Sequence, residues 1–363
     1  MPVNNRTYFA SWVLLTFVAL AVYKAEDSYG AKVISVLFAL SGLYIGAKLI
    51  PRGRVSPEGR AVFITGCDTG FGNLLARRLD SVGFTVLAGC YLPDGTGACN
   101  LVQETSSRLT IVPCDVTSDD SVQRAKEIIK KELKTQGKEL LAVVNNAGIW
   151  SPGHIEWVSL NRYKNIAEVN LYGLIRVTRA MLPLIRKSKG RVVNVASISG
   201  LWSLPSNSPY CMTKYAVECF SDTLRYEMSP WGVKVAIVEP GEYGKLTNIG
   251  MNSKEVIIAT ANALWEDMSA DVQQDYGREY FDAQADIYNQ SREECWDDVT
   301  PVIDAMFDAV TSRSPKHRYL VGELWTYFSK FKFTLLPSWM TDGVFKQLLD
   351  GFPKPAARRE KFE

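Results

Sequence analysis

A tyrosine and a lysine four residues apart, Tyr210 and Lys214, lie in the stretch SPYCMTKYAVECFSDTLRYE at 208–227. On a helix, positions i and i+4 share a face, so the amine can sit beneath the phenol. A free phenol titrates near pH 10 and is a poor base at neutral pH. A cation within about 4–6 Å lowers such a group by roughly 1–3 units. Tyr210 could then exchange a proton with a substrate hydroxyl. The pair alone is weak evidence, because many amphipathic helices carry a Tyr and a Lys at this spacing with no chemical role. Ser197, in NVASISG, precedes Tyr210 by 13 residues and stands just past an apolar run. One loop suffices to bring a strand-end hydroxyl to a helix-borne phenol, where it can stabilise charge developing on a substrate oxygen. Asn170, in VNLYG, falls inside a long helical pattern. Asn is a mediocre helix former, so its position asks for a reason.

These groups need a frame. From residue 61 onward, short apolar runs alternate with amphipathic stretches. AVFITG (61–66), TVLAGC (85–90), LTIVP (109–113), LLAVVNN (140–146), RVVNVAS (191–197) and KVAIVEP (234–240) read as buried strands, with HRYLVG (317–322) as a seventh. Strand–helix alternation with apolar strands predicts an α/β fold, a doubly wound Rossmann-type parallel sheet of about seven strands with helices on both faces. Residues 251–315 read as helical and more polar, and 326–363 as an apolar, aromatic tail with interleaved lysines. That tail suits either core packing or a membrane contact.

The first strand ends in TGCDTGFG (65–72). A glycine turn between strand and helix frees backbone N–H groups for a pyrophosphate. Gly66 permits the tight turn, and Gly70 and Gly72 permit close approach of the phosphate and the next helix. After the second strand, the acid that would bond a ribose 2′-hydroxyl is replaced by Cys90 and Tyr91, with no Arg or Lys until Arg108. Asp68 in the turn itself would repel an extra phosphate, so the balance favours NAD(H) over NADP(H). Asp94 could substitute for the missing acid, although a turn role suits it better. Asp115, in CDVT, stands where an adenine could lie, while Thr117 or Ser118 suits the following helix N-cap. VNNAG (144–148) closes the fourth strand with amides that can tie down backbone and small residues beside a flat ligand.

The bulk properties exclude several classes. The 363 residues carry a net charge of +2, which does not suggest a nucleic-acid partner. The seven cysteines form no C-x-x-C pair and their number is odd, which argues against a disulfide framework. Two histidines, His154 and His317, without a Cys/His cluster make a metal site improbable. The N-terminus differs in kind. YFASWVLLTFVALAVY (8–23) and VISVLFALSGLYIGA (33–47) are apolar, each near the lower limit for a membrane span. A cleaved signal peptide would leave the second run unexplained, and a transit peptide would be richer in Arg and Ser. Arg6 before the first run and Lys48, Arg52, Arg54 and Arg60 after the second predict a hairpin anchor with both ends, and the remaining chain, on the cytosolic side. The organisation expected is an anchor at 1–50, a linker at 51–60, a Rossmann-type domain at 61–325 and a tail.

TGCDTGFG, NNAG, Asn170, Ser197, Tyr210-x-x-x-Lys214 and Pro240–Gly241, in that order, resemble the short-chain dehydrogenase/reductase family. The resemblance implies oxidation of an alcohol, or reduction of its carbonyl, with a nicotinamide dinucleotide. It implies a tetrad of Asn170, Ser197, Tyr210 and Lys214, with Lys214 also holding the ribose and Asn170 anchoring a water. It places Thr65, Gly66, Asp68, Gly70, Phe71, Gly72, Asp115, Val116, Asn146, Ala147, Gly148, Tyr210, Lys214, Pro240 and Gly241 at the cofactor. The chain departs from the family pattern after Pro240–Gly241, where Glu242, Tyr243, Gly244 and Lys245 precede Thr247. FITGCDTGFG, VKVAIVEPG and RYLVG resemble a membrane-associated branch acting on D-3-hydroxybutyrate, retinol or 17β-hydroxysteroids. AEVNLYG, LRYEM and DVTPVIDA resemble the hydroxybutyrate enzymes most. The N-terminal runs resemble the retinol and steroid enzymes, which sit in the endoplasmic reticulum; a mitochondrial membrane suits the other reading. A hydroxy acid would need a donor such as His154 or Lys245. A retinoid or steroid would need an apolar pocket, near which Trp150, Trp157 and Trp202 are expected. The partners implied are a small lipid-derived substrate and a membrane, with homo-oligomerisation left open. A catalytically silent nucleotide-binding membrane protein is the alternative of another class.

Overall fold

Strands with continuous apolar runs must be covered on both sides, and the computed structural model bears this out. It describes residues 29–49, 53–247, 249 and 253–359. Two units are present, one up to Arg54 and one from Val55. In the first, helix α1 (Tyr29–Leu49) carries exposed Ile34, Leu37, Phe38 and Leu40. Among the described residues no helix is long and apolar enough to cross a membrane. Lys32 and Lys48 leave only 33–47 uncharged between them, short of the roughly 17–25 residues a span needs. The transmembrane hairpin expected from the sequence is thus not met by α1, and its first run, 8–23, lies outside the described residues.

The second unit alternates strands and helices: β1 (Arg60–Thr65), α2 (Gly70–Ser81), β2 (Thr85–Cys90), α3 (Thr96–Gln103), β3 (Leu109–Pro113), α4 (Asp119–Thr135) and β4 (Glu139–Asn145). Helix α5 (Leu160–Ala167) runs through a π-helical turn, Glu168–Gly173, into α6 (Leu174–Lys187). Then follow β5 (Arg191–Val195), α7 (Ser208–Met228), β6 (Lys234–Pro240), α8 (Lys254–Asp267), α9 (Ala270–Tyr276), α10 (Arg278–Glu294), α11 (Thr300–Thr311) and β7 (Arg318–Val321). Helices α12 (Leu324–Leu335), α13 (Ser338–Asp350) and α14 (Ala356–Arg359) end the described chain. All pairings are parallel, and the strand order is β3-β2-β1-β4-β5-β6-β7.

Alternation along each strand feeds two cores. Val62 and Ile64 of β1 pack with Leu75 and Leu79 of α2 and with Val302, Met306 and Val310 of α11. Ala61 and Phe63 point the other way, to Val122 and Ile129 of α4 and Val177, Met181 and Ile185 of α6. Burying each such side chain contributes about 1.5–3 kcal/mol. Helix α11 is therefore core, although its sequence falls in the more polar helical stretch at 251–315. The tail differs in the opposite sense: Trp325 and Trp339 are 69% and 75% exposed. Because the chain leaves β1 for β2 on one side and reaches β4 on the other, strand order reverses between β1 and β4. A crevice opens there at the carboxyl ends of the strands.

Candidate active site

The crevice is a cavity of about 820 Å³. At one end it is walled by the β1–α2 turn. Gly66 adopts φ +70° and Gly70 φ +61°, which favours glycine. A Cβ on Gly72 would lie 2.4 Å from Gly66 O and 2.6 Å from Asn146 Nδ2, so no larger residue fits. Thr69 precedes α2 in extended conformation, and its side chain makes no capping hydrogen bond. The first-turn N–H groups of α2 thus keep their donors and their partial positive charge for an anion. Thr65 Oγ1 accepts from the N–H groups of Asn146 and Ala147, both at 3.1 Å. Asn146 Nδ2 donates to Thr65 O at 3.0 Å and Gly66 O at 3.1 Å. These bonds lock β4 to β1 across the reversal point. Asn145 turns away and starts a buried ladder to Thr178 and Asn194, the latter donating to Ser221.

Asp68 does more than the sequence suggested. Its carboxylate accepts from Tyr91 N at 3.0 Å and Leu92 N at 2.8 Å, just past β2. It therefore puts a negative charge where the second strand lacks its own acid, and Asp94 is not needed there. Asp115 accepts from Thr117 N at 2.9 Å, while Ser118 caps α4 by accepting from Ser121 N. Asp115, Val116, Gly148, Pro240, Gly241 and Phe71 all line the cavity. Thr247, late in its loop, also lines it and faces Gly70. The glycine cradle, the free helix terminus and the carboxylate beyond β2 fit a dinucleotide.

Ser197, Tyr210 and Lys214 come together on the same cavity. The Ser197 hydroxyl neighbours the Tyr210 phenol. Lys214 Nζ donates to Val195 O at 3.0 Å and lies 5.3 Å from the Tyr210 ring centroid. The electrostatics correct the sequence expectation. Burial pushes the phenol above its usual range, opposed by the Ser197 hydroxyl. Burial also brings the Lys214 amine down to about 8, against the pull of Glu218 one turn further on. The ammonium is itself desolvated, so it does not overcome the burial of its neighbour.

Asn170 sits in the π turn, fully buried. Its Oδ1 accepts from Ile149 N at 2.8 Å; its Nδ2 donates to Ile149 O at 2.9 Å and to Thr213 Oγ1 at 3.2 Å. Two bonds to buried backbone, each worth about 1 kcal/mol, outweigh the propensity of Asn, below about 0.7 kcal/mol. The amide thereby fixes the strand end after NNAG to the helix that carries Tyr210.

The far end of the cavity was less legible. Trp150, Asn207, Gln284, Ile287, Tyr288, Phe345, Leu349 and Phe352 line it. Trp157 is buried with Leu264 and Phe281, and Trp202 stacks on Phe333 beside a smaller cleft. Neither candidate cation serves the cavity. His154 stacks on Trp157 at 4.0 Å, and Lys245 pairs with Asp297. Behind Lys214, Arg318 of β7 binds Glu218, Asp222 and the fully buried Glu239. Burial and the Glu239 charge still raise Glu218 to about 7. No sequence signal marked this cluster, because its members lie on three separate elements.

A parallel sheet with a glycine cradle at its reversal point and a Ser–Tyr–Lys cluster beside it defines a dinucleotide-fold oxidoreductase. The model of the short chain dehydrogenase family matches residues 60–258, and the chain belongs to that family. It is 43% identical over 315 residues to the mitochondrial D-beta-hydroxybutyrate dehydrogenase of Bos taurus, covering 84% of this chain and 90% of that protein. It is 40% identical over 315 residues to retinol dehydrogenase 16 of Rattus norvegicus, covering 85% and 95%. The fold matches a short chain dehydrogenase/reductase from Burkholderia phymatum, solved in complex with NAD, with a TM-score of 0.63 at 21% identity, covering 79% and 96%.

Proposed function

We propose that this protein is an NAD(H)-dependent oxidoreductase that interconverts an alcohol and its carbonyl, with 3-hydroxybutyrate the leading substrate. The observation that carries the reading is the meeting of Ser197, Tyr210 and Lys214 on the cavity that the glycine turn opens. A bound nicotinamide dinucleotide supplies the hydride acceptor or donor. The chain's own groups manage the proton and the charge. Tyr210, half-buried and protonated at rest, gives its proton to a carbonyl oxygen in reduction and takes it back in oxidation. Ser197 donates to the same substrate oxygen as charge develops there. Lys214 stands beside the phenol, where its charge favours the phenolate, and it would hold a ribose hydroxyl of the dinucleotide. Asn170 acts through backbone, holding Ile149 and α7 in register. Asp68 would accept from ribose hydroxyls and would repel a 2′-phosphate, which supports NAD over NADP.

The same reading places the protein at a membrane. Helices α12 and α13 expose Trp325, Phe328, Phe331 and Trp339, with Lys332 and Lys346 interleaved, the composition of an interfacial surface. The basic residues that flank the two apolar N-terminal runs, Arg6 and Lys48 to Arg60, support a cytosolic face for the catalytic unit, at the endoplasmic reticulum or a mitochondrial membrane. The test is NADH formation from 3-hydroxybutyrate, retinol and estradiol, with NAD⁺ and NADP⁺ compared. Turnover of 3-hydroxybutyrate with NAD⁺ is expected, falling about 10²–10⁴-fold in Tyr210→Phe. Turnover of retinol or estradiol alone moves the substrate to the second branch. NAD binding without turnover of any alcohol leaves a silent nucleotide-binding protein.

A further inference from the structure

The far end of the cavity poses a chemical problem. A substrate that carries a carboxylate or a ketone away from its carbinol needs a donor for that oxygen. Among the described lining residues Lys214 is the sole cation, and its place is beside Tyr210; Asp68, Asp115 and Glu242 are carboxylates. His154 and Lys245 are engaged elsewhere. The distal oxygen must therefore meet a neutral donor.

Helix α10 turns Gln284, Ile287 and Tyr288 toward the cavity, the i, i+3, i+4 spacing of one face. Ile287 has no donor. Tyr288 donates its hydroxyl to Ser206 O at 2.8 Å. From the opposite loop, Trp150 Nε1 donates to Asn207 Oδ1 at 2.8 Å and is likewise spent. Ser206 Oγ also lacks a partner among the described residues, but a hydroxyl can donate or accept, whereas the amide NH₂ of Gln284 is a pure donor. Gln284 is 1% exposed, its Oε1 meets His154 Nε2 at 3.4 Å, and its Nε2 has no partner among the described residues. Burial holds His154 below its usual range, and in its Nε2–H tautomer the ring donates to Oε1. That contact turns the amide NH₂ away from the imidazole. A buried amide donor without an acceptor is unfavourable, and a ligand oxygen would relieve it.

We propose that Gln284 Nε2 is the donor that anchors the far end of the substrate, through a carboxylate or ketone oxygen remote from the reacting carbon. The proposal rests on the reading of the site as an alcohol/carbonyl oxidoreductase and adds the residue that selects among its substrates. Two substrate sources are separated by their chemistry. 3-Hydroxybutyrate carries a carboxylate, testosterone a ketone distal to its 17β-hydroxyl, and retinol carries no second acceptor.

The experiment compares wild type, Gln284→Leu and Gln284→Glu with these three alcohols and NAD⁺. Gln284→Glu keeps the side-chain length and an oxygen for His154, and replaces the donor with an acceptor. For the acceptor-bearing substrate that wild type uses, KM should rise about 10-fold or more in Gln284→Leu and further in Gln284→Glu. Retinol oxidation, where present, and NADH affinity should stay within about 2-fold. A wild type that turns over retinol alone overturns the proposal, as does an equal loss on every substrate with NADH affinity intact. Turnover of none of the three would remove the oxidoreductase reading but still leave a decision. Acetoacetate is then titrated into the NADH-bound protein, and equal binding by wild type and both variants refutes the anchor. Weaker binding by both variants supports it.

Discussion

The two ends of the cavity are made of different material. The cofactor end is mostly backbone: the Gly66–Gly72 turn, the first N–H groups of α2, and strand ends stitched by Thr65 and Asn146. Its decisive property is that glycines let backbone come close, with Asp68 the one carboxylate set in the turn. The substrate end is mostly side chains, with Trp150, Gln284, Tyr288 and Phe345 arriving from separate elements. A wall of bare backbone tolerates almost no change of residue type and is fixed within a few positions of chain. A wall of side chains can be rebuilt one residue at a time. That contrast explains how relatives named for hydroxybutyrate and for retinol can share so much sequence with one chain.

The contrast can be broken by experiment. Gly72→Val should have the largest effect at the cofactor end, because its Cβ would sit 2.4 Å from Gly66 O. NADH affinity, followed by fluorescence titration, should fall about 10–100-fold, and stability should fall by about 1–3 kcal/mol. Wild-type affinity in this variant would mean that the cradle is not the binding wall. Asp68→Ser is a milder probe of the same end. It removes the carboxylate that holds Tyr91 N and Leu92 N. The ratio of kcat/KM for NAD⁺ over NADP⁺ should drop about 10-fold; an unchanged ratio would place the 2′-hydroxyl elsewhere.

The smallest effect concerns the cluster behind Lys214, which belongs to neither wall. Glu218 is raised from 4.5 to about 7 by burial, then by Glu239. The folded state therefore holds this proton more tightly than the unfolded chain does. Its contribution to stability is full below about pH 4.5 and is lost as pH rises through about 7. Glu218→Gln should flatten that part of the Tm-against-pH curve. An unaltered curve would show that Arg318 keeps the carboxylate ionised throughout.

How much of this was legible in the sequence follows the same division. The strands were readable because burial on both faces leaves unbroken Val, Ile and Leu runs, and β2, β3 and β6 begin and end where the pattern places them. The glycine turn and the Ser–Tyr–Lys cluster were readable because their spacing is local. The state of Tyr210 was not. Proximity of a lysine is visible in a helix register, but the desolvation of both groups depends on what covers them. His154 and Lys245 looked available for a carboxylate because their polar partners, Gln284 and Asp297, come from other parts of the fold. Gln284 carried no signal, since nothing in α10 says which of its faces meets the crevice.

The π turn at Glu168–Gly173 has one more implication. A turn of this kind accommodates one more residue than the helix around it. Excising one residue there would let the rod close into regular α-helix, with the positions before and after the turn still in phase. Leu174, Val177, Met181 and Ile185 would keep their seat on the sheet, while Asn170 would lose the widened turn that aims its amide at Ile149. The surplus residue thus serves the amide and not the layer behind β4, so a deletion can remove the one and spare the other.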